Sequence, residues 1–213
     1  MDKKVFIKII KILLKETKKY GKPVVGKLFE KSTPYKILIS TLISLRTKDK
    51  ITEEVSLKLF KVADTPYKMV KLENSEIEKL IKKAGFYRNK AKVIKNVSQT
   101  IIEKYGGKVP DEMEQLLKLK GVGRKTANLV LSLGYGKKGI CVDTHVHRIS
   151  NRFGIIKTKS PYETEIELMK VLPKKYWIVY NELLVLWGQN VCKPVKPKCG
   201  LCVLNKLCEK IGV

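Results

Sequence analysis

Apolar side chains recur three and four positions apart along almost the whole chain, with lysines between them. In the N-terminal segment, Val5, Ile9 and Leu13 lie on one face of a helix at this spacing. We find neither the alternating pattern of a strand nor a hairpin turn signal. The sequence therefore predicts an all-α fold with short connections. Beyond the N-terminal helix, periodicity and capping residues predict helices over residues 35–44, 52–60, 75–84, 88–105, 110–119, 125–133, 144–153, 161–172 and 177–187.

The charge of the chain narrows the class of its partner. Lysine and arginine number 45 against 20 acidic residues, which gives a formal net charge of +25. A hydrophobic fraction of 44% is that of a folded protein and excludes a disordered basic tail. Because the lysines are spread over the whole chain, the basic surface belongs to the fold. The expected partner is a polyanion such as a nucleic acid.

We expect a cytoplasmic protein with no membrane partner. The most apolar stretches, residues 37–45 and 176–187, are shorter than the roughly 20 residues that a membrane-spanning helix needs. Lys8, Lys11 and Lys15 interrupt the apolar residues of the N-terminal segment, so the sequence has no signal-peptide core there.

Four cysteines close to the C-terminus form a candidate metal site. They follow the pattern C-x6-C-x2-C-x5-C, and structural disulfides are rare in the cytoplasm. Zinc and an iron–sulfur cluster both accept four thiolates. Structural zinc usually has two close pairs of ligands, whereas here only one pair is close, so the wider gaps favour the cluster. The four candidate ligands are Cys192, Cys199, Cys202 and Cys208.

A lysine-rich loop follows the first of these cysteines. Two prolines stiffen residues 193–198, and Lys193, Lys196 and Lys198 project from the loop. A rigid loop with three ammonium groups is suited to contact a phosphate backbone. The alternative is that these are ordinary solvated lysines of a lysine-rich chain.

A glycine turn connects two helical patterns in the segment 116–131. Gly121 and Gly123, separated by one residue, allow a tight turn with uncovered backbone N–H groups, and Arg124 follows at once. Together with the positive end of the second helix, those N–H groups form a phosphate site. This is the shape of a helix-hairpin-helix turn, although a G-x-G alone is also typical of a helix C-terminus.

Lys125 and Asp143 are the candidate catalytic residues. Lys125 lies in the first turn of the second helix, where the helix N-terminus and Arg124 favour a neutral amine nucleophile that forms a Schiff base with a sugar aldehyde carbon. Asp143 precedes another helical pattern, and its carboxylate can stabilise an oxocarbenium-like sugar and assist proton transfer. The alternatives are a solvated lysine and an aspartate that only caps a helix.

The glycine turn, Lys125, Asp143 and the cysteine pattern, in this order and at these separations, resemble the endonuclease III family of the helix-hairpin-helix DNA glycosylase superfamily. The resemblance covers almost the whole chain and includes the segments 41–49, 85–91, 106–110 and 142–148. It implies a six-helix barrel lobe with the helix-hairpin-helix over residues 25–137. A second lobe, formed by residues 1–24 and 138–213, carries a four-iron, four-sulfur (4Fe–4S) cluster in this family.

The resemblance also implies a reaction. A monomeric enzyme binds damaged double-stranded DNA, flips an oxidised pyrimidine out of the stack and excises it through a Schiff base on Lys125, with Asp143 assisting. It then nicks the strand by β-elimination. Two alternatives remain open: a mismatch-specific glycosylase acting on thymine or uracil, and a DNA-binding iron–sulfur module without catalysis.

Two positions depart from the family pattern. Arg46 stands in place of a glutamine that fills the gap left by the flipped base, and Phe86 replaces a leucine at the other wedge position. Both are candidate DNA contacts, and Arg46 can donate more hydrogen bonds to the orphaned base than a glutamine can. For Phe86 the alternative is an aromatic residue of the core.

Overall fold

The computed structural model describes residues 2–21, 32–137 and 139–213, and these ranges contain helices but no β-strand. The all-α prediction is therefore confirmed for the described part of the chain. None of the helices there combines the length and the apolar character that crossing a lipid bilayer requires. The helices are α1 Lys3–Glu16, α2 Pro34–Ser44, α3 Asp49–Val62, α4 Pro66–Lys71, α5 Asn74–Ile81, α6 Tyr87–Tyr105, α7 Met113–Leu117, α8 Arg124–Leu129, α9 Thr144–Phe153, α10 Pro161–Val171 and α11 Trp177–Asn190.

The chain divides into two compact units. One consists of residues 24–137, and the other combines residues 1–23 with residues 138–213. The predicted boundary between residues 24 and 25 lies outside the described residues, and so does residue 138.

The unit of residues 24–137 is built around α2 and α6. Every residue of α2 from Ile37 to Ile43 is buried, because this apolar helix is surrounded by its neighbours. Helix α6 packs against α4 and α5 through the apolar side of its 19 residues. It ends at Gly106, whose φ of 60° is a left-handed C-cap.

The other unit packs α1 with α9, α10 and α11. Phe6 of α1 meets Tyr180 of α11 edge to face, with ring centroids 5.8 Å apart. The Tyr180 hydroxyl lies 2.9 Å from Ser150 Oγ of α9, so this buried phenol has a hydrogen-bond partner. Leu204, from the segment that carries the last cysteines, is also fully buried in this core.

Several helix ends differ from the prediction. The helices predicted over residues 52–60, 75–84 and 177–187 span Asp49–Val62, Asn74–Ile81 and Trp177–Asn190. The helix predicted over residues 110–119 is only the five-residue α7. The helix predicted over residues 125–133 starts one residue earlier, as α8, and continues as a π-helical segment over Val130–Gly134. Helix α4 was not predicted at all, although Thr65 caps it and a proline opens it.

Candidate functional site

The four C-terminal cysteines lie around one pocket. The wall of this pocket includes apolar side chains such as Phe153 and Trp187. All four cysteines are free thiols. No three His, Cys, Asp or Glu side chains of the described residues meet closely enough to hold a single metal ion. The four cysteines that line the pocket are Cys192, Cys199, Cys202 and Cys208.

Two arginines of α9 anchor the loop that leads into this pocket. Arg152 is only 7% exposed and donates to the carbonyl oxygens of Lys193 at 2.7 Å and Pro194 at 2.9 Å. Arg148 donates to the carbonyl oxygen of Cys192 at 2.9 Å. Neither arginine was predicted from the sequence. Their spacing of four residues, which puts them on one face of a helix, was the available signal.

The chemistry of the pocket fits an iron–sulfur cluster. Burial raises the pKa of the Cys202 and Cys208 thiols, so binding of iron has to displace their protons. The Arg152 guanidinium lies 3.5 Å from Cys192 Sγ and offers a hydrogen bond and a positive charge to a thiolate there. Four sulfur donors around an apolar pocket are the donor set of a 4Fe–4S cluster.

The lysine-rich loop has a hydrogen-bonded backbone and exposed lysine side chains. Lys198 N–H donates to the Val191 carbonyl at 3.0 Å, and Lys196 takes a left-handed conformation with φ of 49°. The side chains of Lys193, Lys196 and Lys198 are all exposed. Lysines that contact phosphates and lysines that are only solvated would both be exposed. Contact of this loop with a phosphate backbone therefore stays a prediction.

The glycine turn between α7 and α8 needs its first glycine. Gly121 has φ of 79°, and a Cβ at this position would lie 2.9 Å from Val93 Cγ1 of α6. Val122, inside the turn, is buried. Gly123 is extended, and a Cβ there would meet no atom within 4 Å. The turn therefore packs on α6 through Gly121 and presents Gly123 to open space.

Lys125 is the second residue of α8, and its side chain is exposed. Thr126, Ala127 and Asn128, the next three residues of the same helix, are buried. Helix α8 thus fixes the backbone of Lys125 in the core of its unit while the side chain extends from the surface. Arg124 opens the helix and is partly buried.

Asp143 caps α9, as one of the two sequence interpretations predicted. Its Oδ1 accepts hydrogen bonds from the backbone N–H groups of His145 and Val146, both at 2.9 Å. The residue is half-buried. It belongs to the unit that contains α9, whereas Lys125 belongs to the unit of residues 24–137. The cap holds the carboxylate in one orientation, which a catalytic role also requires.

Arg46 and Phe86 stand on two adjoining turns. Both have left-handed backbones, with φ of 53° and 56°, and the Arg46 Cζ lies 5.5 Å from the centroid of the Phe86 ring. Phe86 is 64% exposed, so the interpretation of it as a core aromatic residue is wrong.

Lys90 of α6 lies beneath these turns and was missed by the sequence analysis. It is 7% exposed, and burial lowers the pKa of its ammonium to about 8. Its place on the apolar face of α6, four residues before Ile94, was the signal that could have revealed it.

Two family models match parts of this chain and define the class of protein to which it belongs. Residues 39–174 match the family model described as HhH-GPD superfamily base excision DNA repair protein. Residues 192–208 match the model described as the iron-sulfur binding domain of endonuclease III.

Similar proteins and similar solved structures show which family within this superfamily the chain resembles. Endonuclease III of Thermotoga maritima is 49% identical over 84% of this chain and 84% of its own length, and endonuclease III of Bacillus subtilis is 41% identical over 84% and 82%. The structure of a trapped endonuclease III–DNA covalent intermediate has a TM-score of 0.81 at 34% identity, covering 99% of this chain and 97% of that chain. A thermostable thymine-DNA glycosylase has a TM-score of 0.78 at 27% identity, covering 92% and 96%. The chain belongs to the endonuclease III family of the HhH-GPD superfamily.

Proposed function

We propose that this protein is a bifunctional DNA glycosylase and AP lyase of base excision repair that removes oxidised pyrimidines from duplex DNA. The observation that carries the proposal is the exposed Lys125 in the first turn of the helix that follows the glycine turn, in a chain 49% identical to an endonuclease III. One structural relative is a trapped covalent intermediate of endonuclease III with DNA. A covalent intermediate requires a nucleophile, and an exposed amine is accessible to a nucleotide.

Lys125 supplies the nucleophile in this reaction. Its amine attacks C1′ of the damaged nucleotide, a C–N bond forms, and the departing base takes the electron pair of the broken glycosidic bond and a proton. Opening of the sugar ring at O4′ then leaves a Schiff base at C1′. The Schiff base acidifies the C2′ proton. Removal of this C2′ proton breaks the C3′–O bond and expels the 3′ phosphate, so the strand is nicked by β-elimination.

Asp143 assists the same reaction through its carboxylate. Positive charge develops on the sugar as the glycosidic bond breaks, and a fixed carboxylate stabilises that charge and takes up a proton from the attacking amine. The two backbone hydrogen bonds to Oδ1 support this role because they hold the group in place before the reaction begins.

Other residues bind the DNA without reacting. The damaged nucleotide has to leave the stack, and side chains that enter the vacated space stabilise the opened duplex. We assign this filling role to Arg46 and Phe86. Phosphates of the backbone are contacted by residues of the glycine turn and of the lysine-rich loop, namely Gly121, Gly123, Arg124, Lys193, Lys196 and Lys198.

The cysteine pocket holds the cofactor. We assign the thiolates of residues 192, 199, 202 and 208 as the groups that would hold a 4Fe–4S cluster. A bound cluster would tie the C-terminal segment together, and Arg152 orients the loop that leads to it through bonds to the carbonyl oxygens of Lys193 and Pro194. A brown preparation with broad visible absorption supports the assignment, whereas a colourless preparation that contains zinc contradicts it.

The test of the reaction is borohydride trapping. Wild-type protein is incubated with a duplex that carries one oxidised pyrimidine, and we expect a covalent adduct that Lys125→Ala does not form. Lys61→Ala, an exposed lysine at the end of α3, is the matched control and should form the adduct as the wild type does.

The alternatives give different results in the same assay. Release of thymine or uracil opposite guanine without an adduct indicates a mismatch glycosylase. Salt-sensitive binding without release of any base indicates a DNA-binding module. The monomeric state and the cytoplasmic location stay predictions.

A further inference from the structure

The turns that carry Arg46 and Phe86 are joined by direct contacts. Gly85 N–H donates to Thr47 Oγ1 at 3.1 Å. A Cβ at Gly85 would lie 2.6 Å from the Arg46 carbonyl oxygen, so any other residue at position 85 would force the two turns apart. Left-handed backbones are uncommon for residues other than glycine, and here two of them face each other.

The Lys90 side chain bonds to the turn of Arg46. Its Nζ lies 2.6 Å from the carbonyl oxygen of Ile43, 2.6 Å from that of Leu45 and 2.7 Å from Thr47 Oγ1. These three acceptors flank Arg46 on both sides. The backbone N–H of Lys90 donates to the Phe86 carbonyl at 3.1 Å, which is the ordinary backbone bond at the start of α6, so the turn of Phe86 is linked to the Lys90 side chain through Thr47 and Gly85. An ammonium has three N–H donors, and the three side-chain bonds of Lys90 use all of them for one turn.

Stability alone does not explain why a lysine, and not an apolar residue, stands at position 90. A buried ammonium loses its hydration, and an apolar side chain of the same length would fill the space at lower cost. The ammonium adds directional hydrogen bonds. These three bonds fix the two carbonyl groups that precede Arg46 and the hydroxyl group that follows it. Thr47 Oγ1 receives bonds from both Lys90 and Gly85, so the two turns share one hydroxyl.

We propose that Lys90 is a positioning residue that holds Arg46 and Phe86 as a single rigid pair, so that both side chains enter the duplex together when a base is flipped. This inference rests on the proposed function. It explains why a stacked arginine and phenylalanine occur at these two positions, since the guanidinium is placed over the ring before DNA is bound. It also predicts that Arg46 and Phe86 act as one unit and that their effects depend on Lys90.

The test uses a duplex with 2-aminopurine opposite a non-cleavable abasic analogue, because its fluorescence reports stacking of the opposite base. We expect wild-type protein to change the fluorescence, and Arg46→Ala, Phe86→Ala and the double variant to lose the change to the same extent. Lys90→Met, which keeps the length of the side chain without the donors, should lose the change as well. Binding to undamaged duplex should be that of the wild type, since Lys90 is buried.

Excision provides a second readout. Because a misplacement of about 1 Å can cost about 100-fold in rate, we expect Lys90→Met to slow single-turnover excision by roughly 10- to 100-fold. Tyr35→Phe is the control, since it removes a buried hydrogen bond to Ser98 within the same unit. It should lower stability and leave both readouts unchanged at temperatures where it is folded.

If Lys90→Met does not fold, Thr47→Val removes the shared hydroxyl with little change of shape and decides the question. A folded Lys90→Met or Thr47→Val with the wild-type fluorescence change and excision rate overturns the inference, and so do additive effects of Arg46→Ala and Phe86→Ala. The proposed function fails differently, because then the wild type itself neither excises an oxidised pyrimidine nor forms an adduct.

Discussion

Asp143 caps α9 and has a proposed catalytic role, and a pair of substitutions can separate the two. In Asp143→Asn the amide oxygen can accept the same two bonds from His145 and Val146, and asparagine is as good an N-cap as aspartate. We therefore expect the free energy of unfolding to stay near the wild-type value. The charge and the proton acceptor are lost, and removal of such a group costs about 100- to 10,000-fold in the rate of the chemical step.

Asp143→Ala removes the cap as well as the charge. Loss of an N-cap costs about 0.5–2 kcal/mol, and because Oδ1 accepts from two N–H groups we expect a loss of about 2 kcal/mol. For a chain of this size, that corresponds to a fall of roughly 4–8 °C in melting temperature. The rate of borohydride trapping should fall as far as in Asp143→Asn. Thermal unfolding and single-turnover trapping, measured on the same preparations, give both quantities.

Ser160→Ala is the matched control for loss of a cap. Ser160 Oγ accepts a bond from the backbone N–H of Glu163 at the start of α10, in the same unit as Asp143. This variant should lose stability and keep activity. The reasoning is refuted if Asp143→Asn traps DNA at the wild-type rate, or if Ser160→Ala loses as much activity as Asp143→Ala.

Three further predictions concern other parts of the chain. Gly121→Ala should destabilise its unit by about 1–3 kcal/mol in urea unfolding, and Gly123→Ala much less; equal losses would contradict the close packing of Gly121. Lys58 and Lys83 bond to Glu54 and lower its pKa to about 2, so its contribution to stability is present above pH 4.5 and is lost as the pH falls toward 2. The melting-temperature difference between wild type and Glu54→Gln should close over that range, and a constant difference would disprove the coupling. Replacing the three lysines of residues 193–198 by glutamine should reduce the salt dependence of DNA binding by about 2–3 in log–log slope, whereas an unchanged slope means solvated lysines.

The helices were predictable because their signal is local. A buried face imposes the 3.6-residue period on the sequence wherever a helix is long enough to show it, as in α1 and α6. Helix α4 has only six residues, less than two turns, so no period develops. Its capping threonine and first proline were the remaining evidence, and they are also typical of turns.

The candidate site was predictable where chemistry depends on spacing. Four cysteines within 17 residues indicate a ligand set whatever the fold, and a glycine turn before a lysine is likewise visible in the sequence. Lys90 and Arg152 were missed because a buried charge is acceptable only when tertiary structure supplies its partners. The exposure of Phe86 could not be predicted from the sequence, because a buried phenylalanine and an exposed one are the same residue type there.

Helix α6 determines the relative placement of three candidate DNA contacts in its unit. Phe86 precedes its first residue, Lys90 in its second turn fixes the turn of Arg46, and Val93 packs against Gly121 of the glycine turn. The left-handed conformations of Arg46 and Phe86 cost of order 1–3 kcal/mol each and persist only where surrounding bonds hold them. The glycine turn and the turn of Arg46 therefore both contact one helix. If these turns make the proposed DNA contacts, α6 fixes the spacing between the phosphate contacts and the base-replacing side chains, and a flipped nucleotide next to its own phosphates requires such a fixed spacing.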